Sequence, residues 1–398
     1  MKYAAAGLVI RHALDLHSGA FLLPRKLKET ISMEDTEYMK IAADLAEKGA
    51  GRTDPNPLVG AVIVKDGRVI GRGFHRKYGG LHAEREALAH CSESPAGAFM
   101  YVTLEPCCHY GKQPPCTDAI IQSGIKKVFV GSPDPNPLVS GKGTAILRDH
   151  GIEVVENILR ERCDRINAPF FHHMKTGLPW VVMKYAMTMD GRIASRTGAS
   201  KWITGEAARA RVQRDRNRYM AIMAGIGTVI ADDPLLTCRL PDSRSPVRII
   251  CDSRLRIPED CRIVNTAGTY RTIIAACSAP SEKAALLRAR GCEIMLLPER
   301  DGHVDLAELV SRLGKEGINS VFLEGGASLN WAALRAGIVN TVQAYVSPMI
   351  MGGKDALSPV GGLGADSPGN AFRLSHPRVT FLEDDILIES EVISCSQE

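Results

Sequence analysis

Aromatic side chains are scarce, at 5% of the 398 residues, and the formal charge is only +4. A protein that grips single-stranded nucleic acid needs stacking rings set in a basic groove, so that class is disfavoured on both counts. No apolar run approaches the roughly 20 residues of a membrane span. The apolar stretch Ala4–Ile10 is short, runs into Arg11 and His12, and lacks an Ala-x-Ala cleavage site, which makes it a poor signal peptide. Eleven cysteines at irregular spacing, an odd number, argue against a disulfide framework and for a reducing, cytoplasmic compartment. A GxGxxG fingerprint is missing too: Gly225-Ile226-Gly227 reads as a glycine turn on the way to Asp232-Asp233-Pro234, so a Rossmann dinucleotide domain is not supported.

What is present is an ordinary globular composition, 45% hydrophobic and 24% charged, in a chain longer than one core normally supports. Two domains are expected. Residues 1–32 read as an appendage, residues 33–178 as a first domain and residues 179–398 as a second.

The chemistry concentrates in residues 82–116. His82-Ala83-Glu84 is followed by Glu105-Pro106-Cys107-Cys108 and by Pro114-Pro115-Cys116. A His-x-Glu with a later Pro-Cys and a further Cys is the signature of hydrolytic zinc deaminases. One imidazole and two thiolates hold Zn²⁺ and leave the fourth position to water. Glu84 is then the proton shuttle rather than a ligand. Cys107, directly after Pro106, is preferred as ligand, although adjacent Cys108 is an alternative. The interval 108–115 is also longer than the two residues usual between such cysteines. A structural zinc knuckle, or three unmetallated cysteines, is the plainer reading, but a glutamate at His+2 has no task in either.

Around this motif the pattern is α/β. Glu34–Ala50 has helical apolar spacing, and Lys65-Asp66-Gly67 reads as a hairpin turn. Leu81–Cys91 reads as a helix, Ala98–Leu104 as a strand, Pro115–Ser123 as a helix and Lys126–Gly131 as a strand, with the unit ending near Gly151 or Val155. Residues 156–178 read as connecting helix and linker. The string Asp-Pro-Asn-Pro-Leu-Val occurs twice, at 54–59 and 134–139. Either these are two rigid turns of similar shape, or both border one pocket and present Asn56 and Asp134 to it.

From Pro179 strands and helices alternate, as in a doubly wound sheet whose ligands sit at strand ends. Glu324-Gly325-Gly326 at a strand-to-helix turn suits a phosphate, and Ser253-Arg254 after a strand suits the extra phosphate of NADPH.

Taken together, His82-Ala83-Glu84, Pro106-Cys107-Cys108-His109 and Lys112-Gln113-Pro114-Pro115-Cys116 resemble the deaminase half of the bifunctional riboflavin-biosynthesis deaminase/reductase. That family has the long inter-cysteine loop. Met187–Ala194, Ser200–Gly205, Thr228–Thr237 and Leu323–Gly326 resemble its reductase half, which is similar in fold to dihydrofolate reductase. The resemblance implies a cytidine-deaminase-like zinc domain followed by an NADPH-dependent reductase. The implied substrate is a diamino-pyrimidinone carrying a phosphoribosylamino group, deaminated to the uracil and then reduced from ribosyl to ribityl. By matching position, Asn56, His75, His109, Lys112 and Asp134 would line the deaminase pocket. Ala186, Trp202, Thr228, Asp232, Ser253, Gly326, Ala327 and Ser328 would touch NADPH. Ser200, Arg216, Leu236, Arg239 and Glu324 would touch the reductase substrate, and Asp232 or water would supply a proton. A homo-oligomer is expected, with no nucleic-acid or membrane partner. The competing readings are a nucleoside or nucleic-acid base deaminase with an accessory domain, and a nucleotide-sensing module with structural zinc.

Overall fold

The structure, a computed structural model, describes residues 32–111, 113–375 and 377–393. The expected appendage lies outside these residues except for Ser32, which belongs to the fold. Its hydroxyl accepts from Asp35 N at 3.1 Å while the Asp35 carboxylate accepts from Ser32 N at 2.9 Å, a capping box that starts helix α1 (Met33–Glu47).

The first unit continues through β1 (Gly60–Lys65), β2 (Arg68–Phe74), α2 (Ala83–Ala89), β3 (Phe99–Leu104), α3 (Cys116–Gln122), β4 (Lys127–Ser132), α4 (Lys142–Asp149) and β5 (Glu153–Glu156). Asp66 and Gly67 join β1 to β2 with φ of 48° and 71°, the left-handed pair that a type I′ hairpin requires. The sheet order is β2-β1-β3-β4-β5. Alternate side chains divide between its faces. Ala61, Ile63, Met100, Val102 and Val128 pack with Ala83, Ala87, Ile120 and Leu147 of α2, α3 and α4. Val62, Val64, Tyr101 and Phe129 pack with Met39 and Ala42 of α1 and with Cys163 of helix α5 (Arg160–Ile166). Helix α6 (Ala168–Thr176) follows, so residues 156–178 are mostly helical and α5 is part of the core rather than a linker. Strand β5 carries the sheet to Glu156, next to Val155 and past Gly151, the two limits expected for its end.

This topology places the chemistry. Strand β1 runs antiparallel to β3, and β3 parallel to β4, so the start of β1 and the ends of β3 and β4 share one edge. Gly60 N donates to Thr103 Oγ1 at 3.1 Å across that edge. The segments 53–59, 105–115 and 133–141 therefore converge, including both copies of the repeated string.

The second unit comprises β6 (Trp180–Thr188), α7 (Glu206–Arg218), β7 (Ala221–Gly225), α8 (Ile226–Asp232), β8 (Val247–Cys251), α9 (Arg262–Asn265), β9 (Thr272–Ala276), α10 (Ser281–Ala289) and β10 (Cys292–Leu296). The small hairpin β11 (Glu299–Arg300) and β12 (His303–Val304) precedes α11 (Leu306–Lys315), β13 (Ser320–Leu323), α12 (Ala327–Arg335) and β14 (Thr341–Ser347). Strands β15 (Arg373–Leu374), β16 (Arg378–Leu382) and β17 (Asp385–Ile393) close the chain. The order is β10-β9-β8-β7-β13-β6-β14-β17-β15, with β16 also on β17. From β10 to β14 every pairing is parallel, with one core on each face. Two features differ from the sequence reading. The segment after Gly225 is a helix rather than a glycine turn, and three antiparallel strands extend the sheet beyond β14. Strand β16 is almost wholly exposed and β17 half-buried, so neither carries the apolar run that marks a buried strand. Among the described residues no helix is long and apolar enough to cross a membrane.

Candidate active sites

The converging edge of the first sheet holds a compact donor set. His82 is the N-cap of α2, Cys107 lies in the segment after β3, and Cys116 opens α3. His82 Nδ1 is 3.4 Å from Cys107 Sγ and 3.3 Å from Cys116 Sγ, and all three donor atoms lie within 4.8 Å of one another. Tetrahedral zinc with ordinary Zn–N and Zn–S lengths places such atoms about 3.6 Å apart, so the three residues fit that ion. Cys107 is itself held in place, because Cys116 N and Thr117 N donate to its carbonyl at 3.0 and 3.2 Å. Cys108 points elsewhere, its thiol directed at Leu138 O at 3.7 Å, so the thiol that joins His82 is that of Cys107. The Cys107 thiol is shifted down, first by the hydrogen bond from Cys116 and then by His82, while Cys116 is shifted up as the donor of that bond.

Glu84 is 4% exposed, two residues into the same turn as His82. Burial, and then the negative charge of Cys107, raise its carboxyl above the usual range, the direction that suits a base working near neutrality. His75 Nδ1 bonds to Leu81 O at 2.9 Å, and Nε2 faces Asn56 Nδ2 at 3.3 Å. Burial lowers the His75 pKa and favours the neutral ring. On the opposite rim Asp134 is 7% exposed and pushed up to about 6 by burial. Among the described residues His109 Nδ1 is buried without a partner, a polar atom that a ligand could meet. Lys112 lies outside the described residues. Asn56, His75, His109 and Asp134 are thus brought to one edge by segments distant in sequence.

Glu105 is the residue that sequence reading passed over. Its carboxylate accepts from Asp134 N at 3.3 Å, Gly141 N at 3.0 Å, Gly143 N at 3.0 Å and Thr144 N at 3.2 Å. That buried carboxylate ties the loop bearing Asp134 to the strand end bearing Cys107. Its only sequence signal is position, one residue ahead of Pro106-Cys107.

The second sheet carries a cleft of about 980 Å³ at the carboxyl ends of β6, β7, β8 and β13. Ala186, Ser200, Trp202, Arg216, Thr228, Asp232, Arg239, Ser253, Glu324, Gly326, Ala327 and Ser328 all line it. Leu236 does not. Its side chain is 4% exposed and packs in the core with Ile222 and Ile250, leaving only its backbone for contact. In the floor, Arg216 Nε and Nη2 donate to Glu324 Oε1 and Oε2 at 2.6 and 3.1 Å, with Lys184 Nζ 3.9 Å from Oε2. Burial opposes ionisation of Glu324, but Arg216 and Lys184 outweigh it and the pKa falls. Burial lowers the Lys184 pKa. Lys184 was missed, although it is the one charge in the apolar run Trp180–Ala186.

The rim suits a phosphorylated cofactor. Gly326 is the N-cap of α12 and lines the cleft with Ala327 and Ser328, so the start of that helix borders it. Arg254 and Arg256 line its far side, Arg256 being another residue not anticipated. Ser253 Oγ accepts from Val304 N at 3.0 Å, which fixes the loop that carries it. These donors fit a dinucleotide bearing an additional phosphate.

Comparison with known proteins covers both sites. Residues 179–387 match the family model described as RibD C-terminal domain, and residues 32–132 match the cytidine and deoxycytidylate deaminase zinc-binding region. The chain is 51% identical over 374 residues to riboflavin biosynthesis protein RibD of Actinobacillus pleuropneumoniae, covering 94% of this chain and 99% of the relative. To RibD of Escherichia coli it is 39% identical, covering 80% of this chain and 89% of the relative. Among solved structures, the diaminohydroxyphosphoribosylaminopyrimidine deaminase/5-amino-6-(5-phosphoribosylamino)uracil reductase of Thermotoga maritima is similar with a TM-score of 0.79 and 38% identity, covering 90% of this chain and 99% of that one. RibD of Acinetobacter baumannii gives the same score and identity over 91% and 99%.

Proposed function

The chain belongs to the RibD family of riboflavin-biosynthesis enzymes, and from that premise we propose how its two sites divide the work. It is a bifunctional enzyme. The first reaction is zinc-dependent deamination of a diamino-pyrimidinone ribosylamino phosphate to the uracil, and the second is NADPH-dependent reduction of the ribosyl group to ribityl. We assign the first to residues 33–178 and the second to residues 179–398. This coverage leaves no room for the reading as a nucleic-acid base deaminase with an unrelated accessory domain.

His82, Cys107 and Cys116 would hold zinc, which when bound makes water a nucleophile at neutral pH. Glu84 takes the proton released in the attack and returns it to the departing amine, a role served by its burial and raised pKa. Asn56 would meet a base edge, His75 and Lys112 the phosphate, and Asp134 and His109 the remaining side of the pocket. In the second site NADPH supplies hydride. Ala186, Trp202, Thr228, Asp232, Ser253, Gly326, Ala327 and Ser328 hold the cofactor, and Arg254 and Arg256 add the charge that a 2′-phosphate needs. Ser200, Arg216, Arg239 and Glu324, with the backbone at Leu236, hold the ribosylamino substrate. Asp232 or water delivers the proton to the reduced imine nitrogen. We also propose a homo-oligomer, supported by apolar exposure on the outer strand β16, where Phe381 is 73% exposed. A cytoplasmic location follows from the irregularly spaced cysteines.

The observation that carries the assignment is the convergence of His82, Cys107 and Cys116 to within 4.8 Å beside buried Glu84. Glu84→Gln tests it. The variant should keep its zinc and its NADPH-dependent reduction of the uracil intermediate, and lose deaminase kcat by about 10²–10⁴-fold. Retained deamination would remove Glu84 from the mechanism.

A further inference from the structure

The two units meet through the first copy of the repeated string. Arg244, in the segment between α8 and β8, donates from Nη2 to Asp54 Oδ2 at 2.5 Å. Around that ion pair, Arg52 Nη2 reaches Asp242 O at 2.8 Å, Asn217 Nδ2 reaches Ala50 O at 3.3 Å and Arg218 Nη2 reaches Ile166 O at 3.0 Å. A Cβ at Gly51 would stand 2.2 Å from Asn217 O, so the backbones are in direct contact. Arg244 is braced in turn, its N–H donating to Asn217 Oδ1 at 3.1 Å.

Asp54 is two residues from Asn56, and both lie in one tight loop closed by Asn56 N to Thr53 O at 2.9 Å. Asn56 faces His75, and His75 bonds the carbonyl of Leu81, the neighbour of His82. Asp54 is half-buried, and a carboxylate enclosed at such an interface depends on its cation, because a charge left unpaired there must be hydrated, protonated or moved. Burial does push the Asp54 carboxyl up, with Arg244 and Arg218 pulling against it. Without Arg244, Asp54 would keep only Asn319 and the charge of Arg218, a weaker hold on the loop that carries Asn56.

We propose that Arg244, a residue of the reductase domain, positions the base-contacting loop of the deaminase site by holding Asp54 across the domain interface. The proposal rests on the reading of Asn56 as a substrate contact. It gives a physical reason for fusing the two activities: the first site is completed by the second domain. On the other side of the interface, Asn217 is the neighbour of Arg216 in the reductase cleft.

The test uses the full-length, zinc-loaded chain with separate assays of each step. Arg244→Ala should raise the deaminase KM about tenfold, the scale of one lost charge-assisted hydrogen bond, with a smaller change in kcat. Zinc content and the KM for reduction of the uracil intermediate should stay at wild-type values, and Arg244→Lys should recover most of the deaminase KM. An unchanged deaminase KM in Arg244→Ala overturns the proposal. So does parallel loss of both activities and of zinc, which is the mark of a merely structural contact. If Arg244→Ala does not fold, Asp54→Asn, which keeps the side-chain size and removes the charge, must show the same selective rise in KM or the proposal fails. A wild-type chain unable to deaminate the pyrimidinone would instead defeat the functional reading itself.

Discussion

At the scale of single residues, each site depends on charges that burial makes sensitive. Asp134 has the pH consequence easiest to measure. Its folded pKa, about 6, lies above the ordinary 3.8, so the folded protein holds this proton more tightly than the unfolded chain. The penalty of an ionised buried carboxylate is thus fully present above about pH 6 and disappears below about pH 4. Asp134→Asn should accordingly gain stability relative to wild type at about pH 7.5 and lose nearly all of that gain by about pH 3.5. The difference is of the order of 3 kcal/mol, given by two pK units, with the hydrogen bond from Asn136 N already holding that pKa below what burial alone would give. Denaturant unfolding at the two pH values measures it, and a difference independent of pH would show that Asp134 is not the group responsible. In the reductase cleft the balance runs the other way. Arg216 and Lys184 keep Glu324 ionised, so that pair meets a substrate as fixed charges rather than as titrating groups.

At the scale of elements, the deaminase site depends on how closely α4 approaches the segment after β3. Gly143, in the first turn of α4, leaves no room for a side chain: a Cβ there would lie 2.1 Å from Pro106 O and 3.2 Å from Glu105 Oε1. Since Cys107 follows directly, Gly143→Ala should displace a zinc ligand as well as destabilise the fold by about 1–3 kcal/mol. Faster loss of zinc to a competing chelator, compared with wild type at matched temperature, is the expected result. A variant that melts earlier but releases zinc at the wild-type rate would separate packing from ligand placement. Some elements were easier to read than others for a physical reason. Strands β6, β7 and β13 are buried on both faces and appear as apolar runs, and the β1–β2 turn declares itself through Asp66-Gly67. Helix α8 hides behind two glycines, and β16 and β17 carry too many exposed polar positions to stand out.

At the scale of the whole molecule, two sheets with separate cores carry two chemistries joined by a polar interface. Metal removal should therefore act on one half alone. A chelator-treated chain is expected to lose deamination while still oxidising NADPH on presented uracil intermediate, and added zinc should restore the first step. Loss of NADPH oxidation on chelation would mean that the sites are not chemically independent. The interface through Asp54 and Arg244 allows communication of position without shared catalysts.

The sequence by itself determined the chemistry available: the order His82, Glu84, Cys107, Cys116 names a metal and a base, and strand–helix alternation after residue 179 names the second fold. These are local signals, written in residue type and spacing. Which of two adjacent thiols faces His82, that Asn56 and Asp134 share one edge, and that Leu236 turns into the core were decided only by tertiary structure. Each depends on the antiparallel β1–β3 and parallel β3–β4 pairings, or on packing between segments far apart in the chain. Glu105, Lys184 and Arg244 act through neighbours that lie 29 to 190 residues away along the chain, and no pattern of spacing within one stretch records such a contact.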